Sequence, residues 1–266
     1  MYTAKEVWKE KLRNLAWKLF SKLENNDNVN FDENGESFFI ESLLKTLSQT
    51  EDNSKKIIIF DIGANIGHYT TILQSISLLN QLSLEIHLFE PTQSCFNILT
   101  EKFGHDTNII LNNFGASSED GETVIFYDKE QSGLASLYDR NLDAYNLKFS
   151  HVESVSVKKI SNYIKERGIL HIDFIKIDIE GHELKAFEGF CDYINADFID
   201  YIQFEYGGAN LDSHTSLMEL YTFFQKRNFS IAKIMPNGLS IRIYQPWMDN
   251  FTYANYVAIS NKVLKK

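Results

Sequence analysis

Nowhere in this sequence do about 18 apolar residues follow one another, so no segment reads as a helix that spans a bilayer. The opening residues, MYTAKEVWKEKL, lack the apolar stretch of a secretory leader, and a cytoplasmic location is the expectation. Cysteine is scarce: Cys95 and Cys191 fall in segments with helical patterning, make no metal-ligand spacing and read as reduced, buried thiols. Basic charge is also short, with 26 Lys and Arg against 36 Asp and Glu, a net charge of -10. Such a field repels polyanions, and no local basic patch offsets it, which argues against nucleic acid as a partner. What is present, 44% hydrophobic and 23% charged residues, is the composition of a soluble globular protein, and 266 residues suffice for one good core.

Two regions follow from the pattern. Residues 1–54 read as an N-terminal helical extension with a connector. Trp8, Leu12, Leu15, Leu19 and Leu23 recur at spacings of three and four, with Lys5, Lys9, Lys11, Arg13, Lys18 and Lys22 on the polar side. This face is expected to pack on the body of the protein or on a second subunit of a homo-oligomer, in preference to a membrane surface. The stretch Asn25 to Glu36 is a polar connector.

Residues 55–266 read as a doubly wound α/β domain. Apolar runs at Ile57 to Asp61, Glu85 to Glu90, Asn108 to Asn112, Asp173 to Asp178 and Phe198 to Glu205 alternate with helical patterns, as in a parallel sheet covered on both faces. A segment between the third and fourth strands is too long for a bare loop. It should hold strands at ETVIFYD and HVESVSV and a helix near Ser161 to Arg167. A helix over Ser216 to Arg227 is followed by SIAKIM and LSIRIY about Pro236-Asn237-Gly238, a tight-turn signal, and then by NYVAIS. Antiparallel strands after five parallel ones suit a mostly parallel, seven-stranded, Rossmann-like methyltransferase sheet better than a dinucleotide dehydrogenase.

The chemistry concentrates at strand ends. In IIIFDIGANIGHYT a strand ends in Asp61, and Gly63 and Gly67 frame a turn into a helix, where backbone amides can approach a ligand. The spacing is neither the three-glycine dinucleotide fingerprint nor a phosphate loop. Glu90, 29 positions after Asp61 and followed by Pro91, closes the neighbouring strand, where a carboxylate can accept both ribose hydroxyls of an adenosine. Asp61 serves the methionine end of a ligand or braces the turn. In DFIKIDIEGHE, Lys176 and Asp178 point the same way, and Glu180, Gly181, His182 and Glu183 lie where the chain leaves the sheet. Glu183 reads as a helix first-turn acid.

These motifs, DIGANIGHYT (Asp61 to Thr70), FEP (Phe89 to Pro91), DFIKIDIEGHE (Asp173 to Glu183), FEYG (Phe204 to Gly207) and the terminal Asn255-Tyr256-Val257-Ala258, resemble the FkbM-type methyltransferases, over roughly Lys55 to Ser260. The resemblance implies methyl transfer from S-adenosylmethionine to a hydroxyl, often on a sugar. Carried over residue by residue, it implies that Asp61, Gly63, Ala64, Asn65, Gly67 and Tyr69 contact the methionine portion, Glu90 with Thr92 the ribose, and Asn113 and Phe114 the adenine. The inserted Gly133 to Arg140 matches the family only loosely.

A sugar hydroxyl needs a base near neutral pH. His182 is the candidate on intrinsic pKa, with Asp178, Glu180 and Glu205 as competitors or orienting groups. A divalent cation held by those three carboxylates is the alternative device. Tyr138, Arg140, Lys176, Tyr206, Arg242 and Asn255 are the candidate acceptor contacts, with Arg140 and Arg242 as partners of a nucleotide diphosphate. The expected acceptor is a nucleotide-activated sugar of surface polysaccharide or glycosylated metabolite synthesis. The rivals are a non-sugar acceptor, a donor-binding scaffold without turnover and a dehydrogenase; an intact ligand turn opposes the second and the missing third glycine the last.

Overall fold

The computed structural model describes residues 4–49 and 56–265. The boundary expected between residues 54 and 55, and the side chain of Lys5, lie outside the described parts. Helix α1 (Ala4–Glu24) projects from the body, and its face of Trp8, Leu12, Leu15, Leu19 and Leu23 is exposed along its whole length. The expected packing of that face on the body therefore does not occur. Helix α2 (Glu36–Leu47), inside the stretch read as an extension, belongs to the core: Phe39, Ile40, Leu43, Leu44 and Leu47 are buried against the sheet. Its start is set by Gly35, at φ 95°, where a Cβ would lie 2.1 Å from the Met235 carbonyl oxygen.

Strand β1 (Ile57–Ile62) leads through a turn to α3 (His68–Asn80), then β2 (Leu84–Phe89), α4 (Gln93–Phe103) and β3 (Ile109–Asn112). The inserted segment holds β4 (Gly115–Ala116), β5 (Gly121–Tyr127) and β6 (His151–Lys158), which form their own small sheet in the order β4-β6-β5. The chain then returns through α5 (Ile160–Arg167), β7 (Ile172–Ile177), α6 (Glu183–Gly189), β8 (Ile199–Tyr206), α7 (Gly208–Asp212) and α8 (Leu217–Gln225). It ends with the hairpin β9 (Phe229–Met235) and β10 (Gly238–Ile241), followed by β11 (Ala254–Ser260). Helix α8 starts on a reciprocal cap: Glu219 N donates to Ser216 Oγ at 3.1 Å and Ser216 N to Glu219 Oε2 at 2.8 Å.

The main sheet has eight strands in the order β10-β9-β11-β8-β7-β1-β2-β3. The five expected parallel strands pair parallel, and β11 runs antiparallel to both β8 and β9. The eighth strand is β10, the outer arm of the hairpin, so the sheet is one wider than seven. The hairpin's central pair is Pro236-Asn237, and only Gly238, at φ 141°, takes positive φ. Central strands are apolar on both faces because helices cover both: all six residues of β7 are buried. Phe60, Phe89, Phe174 and Phe204 on these strands and Phe187 on α6 are fully buried, and truncating any of them to Ala costs about 3–5 kcal/mol. Because β2 flanks β1 on one side and β7 on the other, the strand order reverses at β1, and a crevice opens outside the carboxyl ends of β1, β2, β7 and β8.

Candidate active site

That crevice is a cavity of about 690 Å³, the size that takes a cofactor together with a small acceptor. Its first wall is the β1–α3 turn. Asp61 lines the cavity and is completely buried; its Oδ2 accepts from Thr70 Oγ1 at 2.7 Å, while its buried Oδ1 has no hydrogen-bond partner among the described residues. Burial raises its pKa, against the pull of Lys176. The turn amides are largely satisfied within the protein. Gly63 N and Ala64 N donate to Phe89 O at 2.9 and 3.1 Å, Asn65 N to Glu90 Oε2 at 2.9 Å, and Gly67 N to Ala64 O at 2.8 Å. The glycines serve close packing: a Cβ on Gly63 would stand 2.0 Å from the Asp178 carbonyl oxygen, and one on Gly67 2.4 Å from the Phe103 ring. The donors left for an anionic group are the first amides of α3, beside His68 and Tyr69 on the cavity wall.

Glu90 sits at the end of β2, buried, its Oε1 accepting from Thr92 N at 2.9 Å and Thr92 Oγ1 at 2.6 Å. Both residues line the cavity. Asn113 and Phe114 do not. Asn113 Nδ2 donates to the backbone oxygens of Glu90 and Pro91 at 2.9 and 3.1 Å, and Phe114 turns into the core against Phe89 and Tyr163. The wall beyond β3 is instead Gly115 and Ala116, whose small size carried no signal in the sequence.

The second wall is acidic. Carboxylate oxygens of Asp178, Glu180 and Glu205 lie within 4.8 Å of one another on the cavity. Two have a cationic partner: Lys176 Nζ donates to Asp178 Oδ2 at 2.9 Å, and Arg140 Nη1 to Glu180 Oε2 at 2.5 Å. Arg140 Nε also donates to Asp212 Oδ2, at 3.1 Å. Glu205 has no hydrogen-bond partner among the described residues, and burial together with Asp178 and Glu180 pushes its carboxyl well above the ordinary range. Burial alone would lower Lys176; Asp178, Asp61 and Glu36 outweigh it and hold the ammonium form. Glu180 stands at φ 51°, a left-handed turn continued by Gly181 at φ 98°. Glu183 braces that turn from the first turn of α6, its Oε1 accepting from Ile179 N at 3.1 Å and Gly181 N at 3.2 Å.

His182 lines the cavity, but both ring nitrogens are engaged, Nε2 with Ser117 Oγ at 3.0 Å and Nδ1 with Tyr138 OH at 3.1 Å. Burial, with Lys185 adding, lowers its pKa to about 4, so the ring is neutral and weakly basic.

Two segments complete the cavity. The insert ties itself to both walls: Asn65 Nδ2 donates to Ser132 O and Ser136 Oγ to Glu180 O, at 2.8 and 2.7 Å. The connector Asn25 to Glu36 contributes Val29, Phe31, Asp32 and Glu36. Glu36 accepts from Gln203 Nε2 at 2.6 Å, and Gln203 in turn accepts from Tyr69 OH at 2.6 Å, so the Tyr69 hydroxyl is already engaged. From the far end come Tyr253 and Asn255, which sits opposite Glu205 in the β11–β8 ladder.

Several expected contacts lie elsewhere. Arg242 is paired with Glu24, away from the cavity, and Tyr206 OH donates to Asp249 Oδ1 at 2.9 Å. Arg140 and Tyr138 stand one layer behind, on Glu180 and His182. Each guanidinium already holds a carboxylate, Arg140 those of Glu180 and Asp212 and Arg242 that of Glu24. Cys95 is buried as expected, whereas Cys191 is exposed.

The methyltransferase FkbM domain matches residues 61–231. The hexuronic acid methyltransferase AglP of Haloferax volcanii is 25% identical over 142 residues, 52% of each chain, so the chain spans about half the length of that relative. Among solved structures, a methyltransferase FkbM from Methylobacillus flagellatus KT is 17% identical, with a TM-score of 0.45 over 82% of this chain and 48% of its own. The plantazolicin methyltransferase BpumL in complex with SAH is 11% identical, with a TM-score of 0.44 over 88% of this chain and 87% of its own.

Proposed function

Since the chain belongs to the FkbM methyltransferase family, we propose that it transfers the methyl group of S-adenosylmethionine to a hydroxyl of a sugar. One observation carries this reading: a single cavity holds an unpartnered, buried Asp61 oxygen and Glu90 on one wall, and a carboxylate trio with one unpaired member on the other. The residues fit the donor. The unpartnered Asp61 oxygen would accept the ammonium of the methionine end, and Glu90 with Thr92, on the same wall, would take the ribose. The bound donor supplies an activated methyl on a sulfonium. The protein then has to align acceptor and methyl and to take one proton.

Glu205 is the proposed base. Its raised pKa makes it a strong proton acceptor once ionised, and positive charge in the cavity works against that rise. Asp178, fixed by Lys176, orients the hydroxyl. Glu180, held by Arg140, shapes the wall, and His182 positions Tyr138 and Ser117. Sugar as acceptor is supported by the likeness to a hexuronic acid methyltransferase. Nucleotide activation has less support, because Arg140 and Arg242 are both occupied and seven carboxyls line the cavity beside one lysine, Lys176. Any diphosphate would therefore lie outside it.

The test is methyl transfer with mass detection across neutral glycosides, uronates and nucleotide sugars. A gain of one methylene on a sugar is expected. If only a lipid, peptide or phenol accepts the group, the sugar assignment fails while methyl transfer stands.

A further inference from the structure

The exposed face of α1 has a consequence independent of the cavity. Trp8, Leu15 and Leu23 are 63%, 64% and 66% exposed, and Leu12 and Leu19 between them are also open to solvent. At about 100° per residue these five side chains form one stripe. Lys11, Lys18 and Lys22 border it on one edge and Lys9 and Arg13 on the other, while Glu6, Glu10 and Glu24 fall on the far side. Its last turns are tied to the body: Phe20 meets the Trp247 ring at 5.6 Å, and Glu24 pairs with Arg242 and, at 3.7 Å, with Lys233. The helix is thus firmly held at one end, and its most apolar face is turned away from the fold.

We propose that α1 is a membrane-surface anchor, its apolar stripe lying in the headgroup boundary of an anionic bilayer with the flanking cations on the lipid charges. The charge pattern selects this occupant over a second copy. Both borders of the stripe are basic, so stripe against stripe would set lysine against lysine. Residues Ala4 to Glu24 carry six basic and three acidic side chains, net +3, which leaves -13 for the rest of a chain of net -10. An acidic body beside anionic lipid is repelled, but charge is screened within about 10 Å. At about 1.5 Å per residue, Leu12 and Trp8 stand about 12 and about 18 Å along the helix axis from the Phe20 contact, beyond that range.

The full chain is mixed with vesicles of phosphatidylcholine and phosphatidylglycerol in equal parts, or of phosphatidylcholine alone, and sedimented. Binding to the anionic vesicles is expected, weakened by high salt and by removal of the anionic lipid. Leu15→Glu with Leu19→Glu abolishes it, and Lys11→Glu with Lys18→Glu weakens it by about tenfold or more. Neither pair touches the cavity, so unchanged donor binding certifies that both variants fold. The proposal is overturned if the wild-type chain ignores anionic vesicles, or if the leucine variant binds them as well as the wild type. It is equally overturned if light scattering shows a dimer that the leucine pair splits, which would make a second copy the occupant.

Discussion

The two walls of the cavity are built on different principles. The donor wall, Asp61 through Thr70 with Glu90 and Thr92, is closed mainly by bonds between residues of two adjacent strand ends, its turn amides bond within it, and its distant ties are those of the Asn65 and Tyr69 side chains to Ser132 and Gln203. The acceptor wall, Asp178, Glu180, His182 and Glu205, is completed by groups from distant parts of the chain: Arg140, Tyr138 and Ser136 from the insert and Asn255 from the last strand. A wall made of local bonds presents the same surface to any ligand. One assembled from the insert and the last strand can change its acceptor through those segments while the chemistry at the sheet edge stays put. On this reading the first wall fixes the donor and the second fixes the acceptor and the proton.

Breaking the acceptor wall should have the largest effect. Glu205→Gln lowers turnover by about a hundredfold or more, measured as single-turnover methyl transfer. Because burial and neighbouring carboxylates raise the Glu205 pKa, it is protonated at low pH and gains its charge only as pH rises. The kcat/KM profile should therefore climb with pH along an acid limb placed above that of an ordinary carboxyl, and the residual activity of the Gln variant should lack that limb. A flat wild-type profile would remove Glu205 from the role.

Breaking the donor wall comes next. Asp61→Asn trades the unpartnered anionic acceptor for a neutral amide and should weaken donor affinity by about tenfold to a hundredfold, read by calorimetry, with the folded state retained. Smaller again is the effect at His182. With its ring neutral and both nitrogens bonded, His182→Ala should cost turnover no more than about tenfold and act chiefly on the acceptor KM. A loss of a thousandfold in kcat would restore it as the base. The smallest change is expected at the insert, where Ser136→Ala removes one bond to the Glu180 carbonyl and should shift acceptor KM by about threefold, leaving donor binding alone.

The same contrast explains what could be read from sequence. That Asp61 to Thr70 and Glu90 to Thr92 meet on one wall was legible because they are near neighbours in two short motifs, and the five parallel strands because uninterrupted apolar runs such as IIIF and FIKI are what a two-sided sheet requires. The carboxylates at the fourth and fifth strand ends were legible as candidates for the same reason. Their state was not. Whether Arg140 meets a substrate or Glu180, and whether Arg242 reaches the cavity or Glu24, depends on contacts 40 and 218 positions apart that no local pattern encodes. Phe114 misled because an aromatic after β3 suits adenine and core equally, and here Phe89 and Tyr163 take it. Helix α2 did carry a signal, Phe39, Ile40, Leu43, Leu44 and Leu47 at helical spacing behind Asn34-Gly35, but the polar connector before it separates this short apolar run from the strand pattern of the domain.

The division of labour between the walls is tested most directly by titrating S-adenosylhomocysteine into Glu90→Ala and Glu205→Gln side by side, with turnover followed on the same samples. The account predicts that Glu90→Ala loses donor affinity by about tenfold or more, while Glu205→Gln binds within a factor of about three of wild type and fails in turnover. Unchanged affinity in a folded Glu90→Ala variant, or a donor-binding defect in Glu205→Gln as large as its defect in turnover, would contradict it.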